Sequence, residues 1–245
     1  MAQIDILDES ITLDRPVLIE GFPGVGLVGK IAVDHIVDHF DMVHYANVFC
    51  EGIPPVATYQ QATHELVTPV RLYADADRDL LALQSDVPIQ PAAAIAFGEC
   101  VAEWFATENV TPIYLSGLPR QVDDAPALYG IGTGDGVDLL AETDIEPPSE
   151  MGLISGPTGA LLAQAVEHDR PAVGLVVEAD PQFPDPIAAQ AVIERGIEPL
   201  AGIEIATEDL SVRAEEIEAA RQQLIQRMQQ ATEESTRAQP LRMYQ

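Results

Sequence analysis

Gly24, Gly26, Gly29 and Lys30 are the residues whose types and spacing first suggest chemistry. They sit in Glu20–Lys30, E-G-F-P-G-V-G-L-V-G-K, between a short apolar run (Val17, Leu18, Ile19) and a helical pattern of Leu27, Ile31, Val33, Ile36, Val37 and Phe40. A strand, a glycine turn and a helix in that order open many α/β sheets. The three glycines satisfy the G-x-G-x-x-G spacing of a dinucleotide-binding turn, and Gly24–Lys30 satisfy the first seven positions of a phosphate-binding P-loop. The P-loop pattern breaks at its eighth position, where Ile31 supplies no hydroxyl for a magnesium ion. The dinucleotide pattern asks for an acid about 20 residues further on, and Glu51 stands near that distance, between Cys50 and Gly52-Ile53-Pro54-Pro55. The simpler expectation is that the glycines let a strand turn into a closely packed helix. The alternative is an enzyme or binding protein taking a nucleoside or phosphorylated small molecule at Gly24–Lys30.

Four other constellations carry residues of reactive type. Asp34-His35-x-x-Asp38-His39 places two histidines at i and i+4, as a metal pair would need, but Ile36 stands where H-E-x-x-H carries its glutamate. A polar helix face is expected there, and no metal. Ser116 follows an apolar run without a G-x-S-x-G elbow. Ser155-Gly156-Pro157-Thr158-Gly159 reads as a helix start capped by Ser155 or Thr158. Glu178-Ala179-Asp180 ends an apolar run, and in so acidic a chain solvated carboxylates are expected. No nucleophile, base and orienter come together, so no catalytic residue, no cofactor and no enzymatic activity are expected. The extreme C-terminus is different: Met243-Tyr244-Gln245 is an apolar residue, a tyrosine and a terminal carboxylate. Such a tail can seat an aromatic ring in a pocket while its carboxylate meets a cation or backbone N–H groups.

The elements that must position these residues read as one α/β domain over 1–205, an amphipathic helix over 206–239 and an exposed tail over 240–245. Strands are expected at Ile4–Leu7, Val17–Ile19, Met42–Phe49, Leu66–Tyr73, Leu80–Gln84, Pro112–Leu115 and Ala172–Val177, with a further strand at Leu153–Ser155. Helices are expected at about Val25–Phe40, Ala92–Thr107, Ala160–His168 and Ile187–Arg195, while Arg120–Glu150 reads as irregular. Forty acids against twelve bases give a net charge of −28, and Lys30 is the only lysine. That surface repels nucleic acid and anionic lipid and suits a salt-loving microbe, where charge repulsion is screened. No run of 18 apolar residues spans a bilayer, and the N-terminus lacks the pattern of a signal peptide. Cys50 and Cys100 are expected to be free thiols in a reducing cytoplasm.

The Leu18–Gly29 stretch resembles the opening of the archaeal proteasome assembly chaperone 2 family. Similar to it also are Glu51–Pro55, Ile113-Tyr114-Leu115-Ser116-Gly117, Ile154–Leu162 and the surroundings of Glu178-Ala179-Asp180. The resemblance implies a three-layer α/β/α sandwich like that of nucleoside phosphorylases, followed by a long C-terminal helix and free tail. It also implies a homo-oligomer that acts on proteasomes without chemistry of its own. Carried over residue by residue, it assigns Met243, Tyr244 and Gln245 to docking between proteasome α-subunits. An oligomeric scaffold with another partner is the remaining reading.

Overall fold

The computed structural model describes residues 3–59, 64–120, 125–210 and 212. The chain runs through β1 (Gln3–Ile6), β2 (Val17–Gly21), a 3-10 turn (Val25–Leu27) and α1 (Val28–His39), then β3 (Val43–Phe49). A small hairpin of β4 (Thr58–Tyr59) and β5 (Leu66–Val67) precedes β6 (Val70–Asp75), β7 (Leu80–Ser85) and α2 (Ala94–Thr107). Then come β8 (Thr111–Pro119), β9 (Leu128–Thr133), α3 (Asp135–Ala141), α4 (Gly156–Glu167) and β10 (Ala172–Ala179). The described part closes with α5 (Pro186–Val192), a π-helical turn (Ile193–Ile197) and α6 (Glu198–Ala201).

Eight strands form one sheet in the order β1-β3-β6-β7-β2-β8-β10-β9. β2 pairs in parallel with both β7 and β8, and β8 in parallel with β10, while β1, β3, β6 and β9 join antiparallel. The parallel centre is covered on both faces, which is why β7 and β10 read as near-continuous apolar runs rather than alternating ones. One core packs Ile19, Ile113, Leu175 and Val177 against Ala32, Val33 and Ile36 of α1 and Ala188 and Val192 of α5. The other packs Leu18, Leu72, Leu83 and Tyr114 against Phe97, Val101 and Phe105 of α2 and Leu161 of α4. Alternating side chains of β2, Leu18 and Ile19, thus feed opposite cores, as the strand period requires. The expected mixed α/β architecture is therefore what the chain adopts.

Three local expectations differ. Leu153–Ser155 forms no strand; Met151 and Leu153 are fully exposed, and the helix starts at Gly156. Arg120–Glu150 is more regular than its glycines suggest, since it contains β9 and α3. β8 runs to nine residues, well past Leu115. Of the expected C-terminal helix, 208–210 and 212 are helical; the rest of 206–239, and the 240–245 tail, lie outside the described residues.

Candidate functional site

In open α/β sheets ligands bind beyond the carboxyl ends of the parallel strands. Here that edge gathers the turn after β2, the end of β8 and the loop from β10 to α5. Its crevice is filled by the chain's own backbone. Gly26 has φ +61°, and a Cβ there would lie 3.0 Å from the Ala179 Cβ and 3.1 Å from the Asp185 Cβ. Its carbonyl accepts the Asp185 N–H at 2.8 Å, so the turn is stapled to the start of α5. Gly117 of β8 meets the same turn: a Cβ would come within 2.6 Å of the Val25 carbonyl oxygen. Gly29 packs by the Phe22 carbonyl, and Gly24 is the least crowded of the three turn glycines.

Beneath this turn lies a carboxylate that sequence reasoning passed over. Glu20 is completely buried on the Leu18 face of β2. Its Oε1 accepts the Phe22 N–H at 2.9 Å, its Oε2 the Leu115 N–H at 3.2 Å, and the Thr158 hydroxyl lies 3.2–3.3 Å from both oxygens. One side chain thereby ties β2 to its own turn, to β8 and to α4. Burial pushes its carboxyl up to about 7, against the opposing pull of the Phe22, Leu115 and Thr158 donors. Thr158 is consequently not a helix cap. Ser155 occupies the cap position of α4, with no side-chain hydrogen bond there.

Lys30 starts a closed polar ring on the other face of the sheet. Its Nζ donates to Asp34 at 2.8 and 2.9 Å and to Asp86 at 3.3 Å. Asp86 accepts from Arg71 at 2.7 Å, Arg71 donates to Gln84 Oε1 at 2.7 Å, and Gln84 Nε2 returns to Asp34 at 2.6 Å. Two cations and two carboxylates close the circuit. Burial disfavours the charge on Asp86, but the bond and charge of Arg71, with Lys30 beyond, hold its carboxyl below the usual value. Arg71 also donates to the Tyr73 hydroxyl at 3.1 Å, and Tyr73 stacks on His44. Burial and then the Arg71 charge push the His44 imidazole below its ordinary value.

The remaining candidates are scattered. His35 and His39 have ring centroids 6.0 Å apart, but His35 Nε2 is hydrogen-bonded to the Ala206 carbonyl at 2.7 Å, and His39 packs edge-on to Phe40. No cluster able to hold a metal occurs among the described residues. Ser116 sits within β8 opposite Val176. Glu178 is not solvated: it is buried, accepting from Arg120 and, at 3.2 Å, from the Ala127 N–H. Cys50 and Cys100 are not free thiols either. They form a disulfide with Cα atoms 6.1 Å apart, because α2 lies across the end of β3. Met243, Tyr244 and Gln245 lie outside the described residues.

The layers, the plugged strand ends and the committed lysine define a mixed α/β protein whose central crevice is a structural joint. The chain belongs to the PAC2 family, whose sequence pattern matches residues 18–225. An uncharacterized protein of Methanocaldococcus jannaschii is 27% identical over 210 residues, 85% of this chain and 84% of the relative. The crystal structure of Pyrococcus furiosus PbaA, an archaeal homolog of proteasome-assembly chaperone, matches with 25% identity and a TM-score of 0.77 over 96% of this chain and 100% of PbaA. Pyrococcus furiosus PbaB, an archaeal proteasome activator, has the same fold, with a TM-score of 0.76 at 20% identity over 91% of this chain and 98% of PbaB. Among the described residues no helix is long and apolar enough to cross a membrane.

Proposed function

We propose that this chain is a non-enzymatic proteasome assembly or docking factor. In this reading it is cytoplasmic, binds the α-ring of the proteolytic core through Met243, Tyr244 and Gln245, and self-associates. The observation that carries the reading is family membership across most of the chain, joined to the likeness to PbaA over the full length of that structure. The Met-Tyr-Gln terminus supplies the docking chemistry: an aromatic ring for a pocket and a carboxylate for a cation. Several tails on one oligomer would multiply a weak contact through effective concentration. The acidic surface fits a salt-loving source and leaves nucleic acid and anionic membranes as unfavourable partners. A nucleoside or phosphate ligand at Gly24–Lys30 is disfavoured, because the Lys30 ammonium is already held by Asp34 and Asp86.

The test is a pull-down of the cognate core particle in molar salt with three proteins: full length, a chain ending at Arg242, and Tyr244→Ala. Capture by full length alone is expected. Equal capture by all three would move the contact to the α/β domain, and no capture would leave an oligomeric scaffold with another partner. A thermal shift on adding nucleotide or inorganic phosphate would reinstate the ligand reading.

A further inference from the structure

Opposite the plugged crevice, at the amino ends of β8 and β10, the Leu18 face of the sheet holds an open cavity of about 520 Å³. That volume suits a small organic ligand. Phe105, Val110, Leu161 and Ala165 give it buried apolar walls. Two matching helix ends fix those walls. Asn109 closes α2 with φ +52°, and the Val110 N–H then meets the Phe105 carbonyl at 3.0 Å. Asp169 closes α4 with φ +50°, and the Arg170 N–H meets the Ala165 carbonyl at 2.9 Å. The second turn delivers Arg170 to the cavity, where its Nη1 donates to the Ala102 carbonyl of α2 at 2.6 Å. Lys30, Arg15, Arg71, Arg78 and Arg120 each lie within ion-pair distance of a carboxylate; Arg170 has no such partner among the described residues. Tyr114 lines the same cavity and is 2% exposed. Its hydroxyl has no hydrogen-bond partner among the described residues, yet the one polar side-chain atom sealed among them without a partner is His44 Nε2. The Tyr114 hydroxyl therefore keeps accessible surface, and the cavity provides it. Burial, then the Glu20 charge, push the phenol up against the pull of Arg170, so it stays an O–H donor.

Charge selects what can enter. In a chain of forty acids and twelve bases, this cavity sets Arg15 and Arg170 against Asp135 alone. The cavity beside Ile203 instead sets Asp144, Glu146, Glu194, Glu198 and Glu204 against Arg195, and the one beside Cys50 carries Glu51. Arg15 is mostly exposed and 3.6 Å from Asp14, so it attracts an anion more than it grips one. We propose that this cavity binds a small organic acid, its carboxylate held by Arg170 and the Tyr114 hydroxyl and its apolar body laid against Phe105, Val110 and Leu161. A guanidinium fork matches the plane and spacing of a carboxylate, and the phenol adds a donor that the folded chain leaves unused. The carbonyl ends of α2 and α4 at this edge oppose an anion, so recognition depends on Arg170 and disappears with it. Met243, Tyr244 and Gln245 play no part in it, so this site stands or falls independently of docking.

The test is isothermal titration calorimetry of the full-length chain in molar potassium chloride with hexanoate, hexanol and acetate. Hexanol keeps the apolar body without the charge, and acetate keeps the charge without the body. Wild type should bind hexanoate, with hexanol about tenfold weaker, the worth of a charge-assisted bond, and acetate giving no heat of binding. Arg170→Met should bring hexanoate down to the level of hexanol, and Tyr114→Phe should weaken it about fivefold. Ala106→Phe, at an exposed position of α2 on the cavity wall, should block both. Melting temperatures confirm that each variant is folded, and Ala106→Phe decides the matter where Arg170→Met, which loses its bond to α2, does not fold. A wild type that binds no hexanoate would overturn the site. Binding of equal strength in all three variants would also overturn it, as apolar adsorption elsewhere. Hexanol binding as tightly as hexanoate would overturn the recognition of an acid.

Discussion

Glu20→Gln should abolish a specific pH dependence of stability. In the folded chain the Glu20 carboxyl ionises at about 7, against 4.5 for the unfolded reference. The folded state therefore holds a proton that the unfolded state has released between these values, and stability falls as pH rises through the window. The difference between 4.5 and about 7 corresponds to about 3 kcal/mol lost between pH 4.5 and pH 7. Glutamine mimics the neutral acid but turns an amide donor toward either the Phe22 or the Leu115 N–H, at a cost of about 1–3 kcal/mol. The variant should thus be the weaker protein near pH 4.5 and should draw level with or overtake the wild type above pH 7. Denaturant unfolding in molar potassium chloride, repeated across pH 4.5–8, gives the difference between the two proteins. That difference removes contributions common to both, including that of His44, whose depressed imidazole makes stability fall as pH drops. Asp86, held below its unfolded value of 3.8, acts beneath the window. A wild-type-minus-variant difference that stays flat across the window would refute the buried, largely desolvated carboxyl.

Three further outcomes follow from the contacts. Reducing the Cys50–Cys100 disulfide, or Cys100→Ser, should destabilise the chain by about 4 kcal/mol, the loop-closure entropy of a 50-residue separation; denaturation with and without reductant measures it. Gly117→Ala should cost about 1–3 kcal/mol, since the added methyl meets the rigid Val25 carbonyl, and an unchanged melting temperature would show that the turn is free to move. Lys30→Met should cost about 2 kcal/mol by leaving Asp34 and Asp86 short of a cation, and a loss that grows on adding inorganic phosphate, through stabilisation of the wild type alone, would revive an anion site at the turn.

Much of the scaffold was legible because its signals are local. The apolar run at β2, the glycine turn and the period of α1 fall together in twenty-odd residues, and α2 and β10 are equally plain. The failures have physical causes. Leu153-Ile154-Ser155 before Gly156 mimics β2 before its turn, yet no neighbouring strand accepts it. β9 was hidden by Gly130 and Gly132, which read as loop residues. They are small because α3 packs close: a Cβ on Gly130 would meet Leu140 at 2.5 Å, and one on Gly132 the Gly136 backbone at 2.9 Å. The pairing of Cys50 with Cys100 depends on where α2 crosses the sheet, which spacing does not encode. Glu20 does not stand out among forty acids, and the same abundance makes Glu178 read as solvated, although the strand alternation that puts Leu18 in the core also places Glu20 there.

The strand order has a consequence for the chain while it is being made. β2 is complete by Gly21, but its neighbours begin at Leu80 and Thr111. At a synthesis rate of about 5–20 residues per second, its second edge waits roughly 5–20 seconds for β8. During that interval Val17–Ile19 present an open apolar strand to the ribosome's surroundings, a template for pairing with another nascent chain. The non-local parallel pairing that plugs the finished crevice should therefore make the protein's yield sensitive to translation speed and to chaperones acting on its first hundred residues.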